Sequence, residues 1–393
     1  MYPGTHAIAR AAQPAVIMAG SGEIVTYADL ESRTNRLAHF LRANGLRHGD
    51  HYSIFMENNA RYVETCGAGE RTGLYYTCAN SFLTPGELAY ILANSESKIL
   101  ITSQAKRDVA LEAKQNCSNI ALCLVVDGPG DGAAVLNLDE ATAVYLDSPV
   151  EDQSIGNAML YSSGTTGRPK GIARPLPEQP PGRALAVYDA LAKIWHFREG
   201  LIYLSPAPLY HAAPHVGVNL TIRMGGTAII MERFEPEQFL RLIETYRVTH
   251  SQLVPTMFSR MLKLPDELRH KHDLSSLEVA IHAAAPCPVL VKQQMIDWWG
   301  PIILEYYGST EGMGITACDT AEWLAHKGTV GRQLFGEIHI LDINMSPCTP
   351  GTIGDVWFKL ASRFQYFNDA ERTKQEHGWR CWLPRQRWLS APD

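Results

Sequence analysis

Tyr161-Ser162-Ser163-Gly164-Thr165-Thr166-Gly167-Arg168-Pro169-Lys170-Gly171 follows a short apolar run, Ala158-Met159-Leu160. An apolar strand that runs into a hydroxyl- and glycine-rich turn presents backbone N–H groups to an anion. Gly164 and Gly167 permit positive φ and close approach of a phosphate. The hydroxyls of Ser162, Ser163, Thr165 and Thr166 donate further hydrogen bonds, and Lys170 adds a positive charge. The common phosphate loop places Gly-Lys-Ser/Thr in direct succession. Here Pro169 separates the glycines from Lys170 and stiffens the turn. A flexible surface loop is the alternative reading of any Gly/Ser/Thr run.

Outward from this loop, strands and helices alternate. Toward the N-terminus the pattern predicts a helix from Thr26 to about 44, with Gly45 as its stop. Strands are expected at 52–56, 98–102 and 121–126, and helices at 61–72 and 88–93. The run Cys66-Gly67-Ala68-Gly69-Glu70-Arg71-Thr72-Gly73 lacks the glycine spacing of a dinucleotide loop and reads as small residues for close helix packing. Beyond the loop the pattern predicts helices at 184–196 and 236–246, and strands at 227–231, 249–254, 278–282 and 302–306. From Gly328 short alternating strands at 337–341 and 353–358 replace it. The fold class is therefore α/β: two layered α/β subdomains with mostly parallel sheets and a small β-barrel-like subdomain. Boundaries fall at about 1–157, 158–327 and 328–377.

The 393 residues suffice for such a composite domain, and 46% of them are hydrophobic. A net charge of −6 without a basic cluster argues against nucleic acid as a partner. The eight cysteines form no Cys-x-x-Cys pair, so spacing suggests neither zinc nor a redox couple. Scattered thiols, no signal peptide and no spanning segment point to a cytoplasmic protein.

A second motif, Tyr307-Gly308-Ser309-Thr310-Glu311, lies after the 302–306 strand. Together with the 161–171 loop it resembles the AMP-forming adenylating enzymes, above all the acyl-CoA synthetases, over about residues 14 to 377. The resemblance implies that a carboxylic acid, such as a fatty acid, is activated by ATP to an acyl adenylate and passed to CoA, with magnesium as cofactor. A peptide-synthetase adenylation module would need a neighbouring carrier domain. The resemblance also assigns roles. Ser162, Ser163, Gly164, Thr165, Thr166, Gly167 and Lys170 would fold over the ATP phosphates. Tyr307 would stack on adenine beside Gly308, Thr310 would contact the α-phosphate, and Glu311 would hold magnesium. Thr310, Glu311 and Lys170 form the implied catalytic set. Ala283, Ala284 and Ala285 would let the nucleotide lie against the backbone. Tyr210, His211, His282 and Gly331 would line the substrate pocket, with a satisfied core histidine as the alternative for His282.

Residues 378–393 break the resemblance. The family continues into a ribose-binding Gly-Asp motif and a C-terminal lid carrying a lysine, whereas 379–393 holds three of the eight tryptophans. Residues 379–393 can be encoded so that reading one base later gives Gly-Asp-Val-Gly-Tyr-Leu-Asp-Ser-Asp-Gly-Tyr-Leu-His-Leu, a match to the missing segment. The expectation is a frameshift near 373–378 that truncates a longer ligase. A short paralogue with its own tail, or an impaired nucleotide- or acyl-binding remnant, is the alternative.

Overall fold

Thr26 caps the first long helix, Tyr27–Ala43, through a capping box with Asp29. Leu30, Leu37 and Leu41 are buried along one stripe of it. Asn44 is the C-cap, and Gly45 follows it with a φ of +83°, the left-handed stop expected there. In the computed structural model, residues 3–162, 168–183, 185–312, 314–359, 364–371 and 373 are described, together with the backbone of 387–389. Ser163, Gly164, Thr165, Thr166 and Gly167 lie outside the described residues, as do Trp379 and Trp382.

Among the described residues the strands form four sheets. One has six strands, in the order Val135–Asn137, Leu122–Val126, Ile99–Ser103, His51–Phe55, Tyr75–Cys78, Asn157–Ala158. Every pairing in it is parallel. His51–Phe55, at its centre, is buried at all five positions, as a strand covered on both faces must be. The second sheet has nine strands. Its parallel centre runs from Ile303–Gly308 through Val279–His282, His250–Leu253, Ile202–Ser205 and Thr227–Ile230 to Pro14–Met18. Antiparallel strands flank that centre, Ile24–Thr26 on one side and Ile315–Cys318 with Arg332–Phe335 on the other.

The largest apolar cluster joins the two sheets. It includes Val16, Tyr203 and Ile230 from one, and Tyr52, Ile54 and Tyr76 from the other. Leu37, Cys66 and Val218 contribute to it from the helices Tyr27–Ala43, Tyr62–Glu70 and Ala212–Arg223. Separate clusters fill the outer faces, around Phe239 and Phe258 on the nine-stranded sheet and around Leu88 and Ala110 on the six-stranded one. The expected α/β class with mostly parallel sheets is thus observed.

Two small antiparallel sheets complete the fold. Leu160–Ser162, Lys170–Ala173 and Gln365–Tyr366 form one; Glu337–Leu341, Ile353–Lys359 and Arg387–Leu389 form the other. The latter brings three tail residues into register with Ile353, Gly354 and Asp355, where no pairing was expected. The segment Cys66–Gly73 behaves as read. A Cβ on Gly69 would come within 2.7 Å of the Tyr52 hydroxyl, so the helix lies against the strand only because that side chain is absent.

Candidate active site

Strands Leu160–Ser162 and Lys170–Ala173, on either side of the 163–167 segment, pair as an antiparallel hairpin. Ser162 faces Lys170 and Tyr161 faces Gly171 across antiparallel strands. A Cβ on Gly171 would fall 2.9 Å from the Tyr161 ring, so glycine is needed opposite that aromatic. The hairpin is moored to the helix Pro85–Asn94. Tyr161 donates to Asn94 Oδ1 at 2.6 Å, Tyr90 donates to the Pro169 carbonyl at 3.1 Å, and Arg168 lies over the Tyr90 ring.

Lys170 is buried, with Nζ 4.7 Å from the centre of the Tyr366 ring. Tyr366 sits opposite Ile172 in the same small sheet, and its hydroxyl donates to Glu311 Oε1 at 3.3 Å. One aromatic therefore joins the two motifs, although Glu311 lies 141 positions beyond Lys170 (311 − 170 = 141). Glu311 is 2% exposed. Burial raises its carboxyl above the ordinary range, opposed by its own backbone N–H, by Tyr366 and by the charge of Lys170.

Tyr307 and Gly308 are themselves in strand Ile303–Gly308, which runs two residues past the expected end. Its antiparallel partner, Ile315–Cys318, supplies the extra pairings opposite Tyr307 and Gly308. The chain reverses through Gly312, whose φ is +71°. On one face the Tyr307 ring stacks on Phe358, with centroids 6.0 Å apart. Arg174 donates to the Thr310 carbonyl at 2.6 Å and pins this turn to the end of the hairpin strand. Burial holds its guanidinium below the usual range, opposed by Tyr188 and by Glu311.

Beyond the neighbouring strand Val279–His282, Ala283 is buried while Ala284 and Ala285 are exposed. Ala284 has a φ of +72°, a left-handed conformation that costs an alanine roughly 1–2 kcal/mol. The structure places His282 in the core. It is fully buried, edge-on to Phe258, with Nε2 3.4 Å from Glu305 Oε2. Lys292 makes the shorter contact to the same oxygen, 2.5 Å. Burial first, and then Lys292, keep the imidazole of His282 neutral.

The Tyr210 and His211 rings lie 4.4 Å apart, tilted by 52°, just before the helix Ala212–Arg223, which the sequence pattern did not single out. Pro214 is accommodated in the first turn of that helix, where no backbone N–H partner is lost. Gly331 has a φ of +91°, and a Cβ there would overlap the Ala317 carbonyl at 2.0 Å. The 328–332 turn thus packs directly on strand Ile315–Cys318.

Lys170, Glu311, Thr310 and Tyr307 therefore converge. Tyr366 and Arg174, which join them, were missed by sequence reasoning. Arg174 lies four residues after Lys170, where its charge was a usable signal. Tyr366 carried none, because its role comes from a tertiary strand pairing.

The AMP-binding enzyme family matches residues 5–365. The chain belongs to this family. Among its AMP-binding relatives is 4-coumarate–CoA ligase CCL1 of Humulus lupulus, 30% identical over 386 residues, which are 93% of this chain and 69% of that protein. Medium/long-chain-fatty-acid–CoA ligase FadD8 of Mycobacterium tuberculosis is 27% identical over 373 residues, 90% of this chain and 63% of its own length. Among solved structures, ATP-bound MatB from Rhodopseudomonas palustris superposes with a TM-score of 0.75 at 26% identity. That match covers 96% of this chain and 74% of MatB. The chain thus spans roughly two thirds of the length of these two curated AMP-binding relatives.

Proposed function

We propose that the protein activates a carboxylic acid with ATP and transfers the acyl group to CoA. The observation that carries this reading is the Lys170–Tyr366–Glu311 constellation at the base of a hydroxyl-rich hairpin. A carboxylate oxygen attacks the α-phosphorus of ATP, the bond to pyrophosphate breaks, and a mixed anhydride remains. The CoA thiol then attacks the acyl carbon and AMP departs. Attack of one anion on another needs fixed positive charge and donors, which Lys170 would provide from a buried position and Arg174 from a half-buried one.

Glu311 fits magnesium: it is a buried hard-oxygen donor, and a bound cation would favour its charged form against the burial that disfavours it. Magnesium would neutralise charge on the departing pyrophosphate. The exposed backbone at Ala284 and Ala285 and the ring of Tyr307 would hold the adenine. Tyr210 and His211 would flank the acid.

The acid is proposed to be a fatty acid or another acid with an apolar body. FadD8 supports the first and CCL1 supports an aryl acid. ATP–pyrophosphate exchange across a panel of fatty and hydroxycinnamic acids tests this reading. Exchange stimulated by one class identifies it. ATP binding by calorimetry with no exchange for any acid would replace the catalytic reading with a binding-only one.

A further inference from the structure

Outside this site, three soft or borderline metal donors meet in the core. Cys66 projects from helix Tyr62–Glu70, Cys78 ends strand Tyr75–Cys78, and His215 lies on helix Ala212–Arg223. They are 3%, 3% and 6% exposed. Their ligand atoms lie within 4.8 Å of one another, and the two sulfurs are 3.9 Å apart. Two thiolates bound tetrahedrally to one zinc, each at about 2.3 Å, stand about 3.8 Å apart. A disulfide would need about 2.05 Å.

The surroundings fix the imidazole as a ligand would require. Glu70 Oε1 accepts from the Tyr76 hydroxyl at 2.9 Å. The Tyr76 oxygen is then free to accept from His215 Nε2 at 3.0 Å. Nε2 therefore carries the proton and Nδ1 keeps its lone pair. Metal-bound histidines commonly donate their second ring N–H to an outer-shell acceptor, a place that Tyr76, backed by Glu70, takes here. Glu70 is itself held by Arg223 at 3.0 Å and by Asn219. Tyr62, 1% exposed, offers a hydroxyl without a hydrogen-bond partner. A cavity of about 40 Å³ lined by Tyr62, Cys66 and His215 leaves room for a bound water.

We propose that Cys66, Cys78 and His215 form a binding site for one thiophilic d10 cation, with zinc as the ion to test. Two thiolates and a neutral imidazole would cancel the charge of zinc(II), so the complex could sit in this apolar interior. The fourth position belongs to Tyr62 or to a water in the cavity. The site joins a helix and strand of the six-stranded-sheet layer to a helix that leads into the nine-stranded sheet. Its effect is to clamp the two layers together, independently of the proposed ligase activity.

The test uses the reduced, chelator-stripped full chain titrated with zinc against a colorimetric chelator. We expect about one tight equivalent and release of about two protons per ion, as thiols become thiolates. The Cys66→Ser/Cys78→Ser variant should lose that equivalent, and Cys348→Ser should keep it. Cobalt(II) added to the unmodified protein should give intense tetrahedral visible bands and a thiolate charge-transfer band in the near-ultraviolet. This reads the site even if the double variant does not fold. Equal zinc uptake by the parent and the double variant overturns the proposal, as does a weak six-coordinate cobalt spectrum. Recovery of Cys66 and Cys78 as a disulfide that zinc does not prevent also overturns it.

Discussion

Glu311 shows how one side chain sets function against stability. Its carboxyl is raised above the ordinary 4.5 by burial, so ionisation disfavours the folded state. Its stabilising contribution is complete below pH 4.5 and is lost as pH rises through the elevated value. Glu311→Gln should therefore raise the melting temperature at mildly alkaline pH. It should weaken magnesium–ATP binding more than magnesium-free AMP binding. Equal loss of both ligands in calorimetry would remove Glu311 from the cation site. Ala284 is a second strained position, and Ala284→Gly should add roughly 1 kcal/mol to the urea unfolding free energy, because glycine accepts a φ of +72° without penalty. No change would mean that the surrounding loop relaxes at no cost. Arg174→Ala removes a hydrogen bond from a charged donor and leaves the Thr310 turn untethered. A loss of roughly ten- to a hundred-fold in acid-dependent exchange is expected, with partial rescue by Arg174→Lys. Unaltered exchange would make the contact dispensable.

At the level of elements, the hairpin is the sensitive part. Gly171→Val would drive a branched side chain into the Tyr161 ring. It should cost roughly 1–3 kcal/mol and reduce nucleotide affinity, since the hydroxyl loop is suspended from this pair of strands. Urea denaturation and ATP titration on the same variant check both effects. Elements with a strong period or a local signal were legible in the sequence. The helix Pro236–Tyr246 appears with the expected bounds, because proline opens it and an apolar stripe of Phe239, Leu240 and Ile243 defines its face. Strand Glu337–Leu341 does likewise. The helix Ala212–Arg223 was not singled out, because its buried small and polar residues (Gly217, Thr221, Arg223) blur any stripe. For the site, Lys170, Thr310 and Glu311 were readable because each lies in a short contiguous motif. Tyr366 and the Cys66–Cys78–His215 group were not, since their chemistry exists only once distant strands and helices pack. No linear spacing reports a pair of thiols that meets a histidine 137 positions further on (215 − 78 = 137).

Over the whole molecule, buried histidines contribute to acid sensitivity. His51, stacked on Tyr75 and tilted against Phe367, is held at about 4 by burial, and so is His250. The unfolded chain takes up these protons near 6.5, so stability is full above that value and falls as pH drops toward 4. Each group contributes a slope of about 1.4 kcal/mol per pH unit across the window. His51→Phe should flatten the fall in melting temperature between those limits, and an unchanged profile would place the acid sensitivity elsewhere. The strand order carries a different consequence, for assembly. Pro14–Met18 is synthesised well before its parallel partner, Thr227–Ile230, in which Ala228 lies opposite Val16. The strand must therefore wait for some two hundred further residues to leave the ribosome before its edge can be covered. During that interval Val16, Ile17 and Met18 form an adhesive apolar ribbon of the kind that holding chaperones shield, and the nine-stranded sheet can close only after its later strands, through Arg332–Phe335, have emerged.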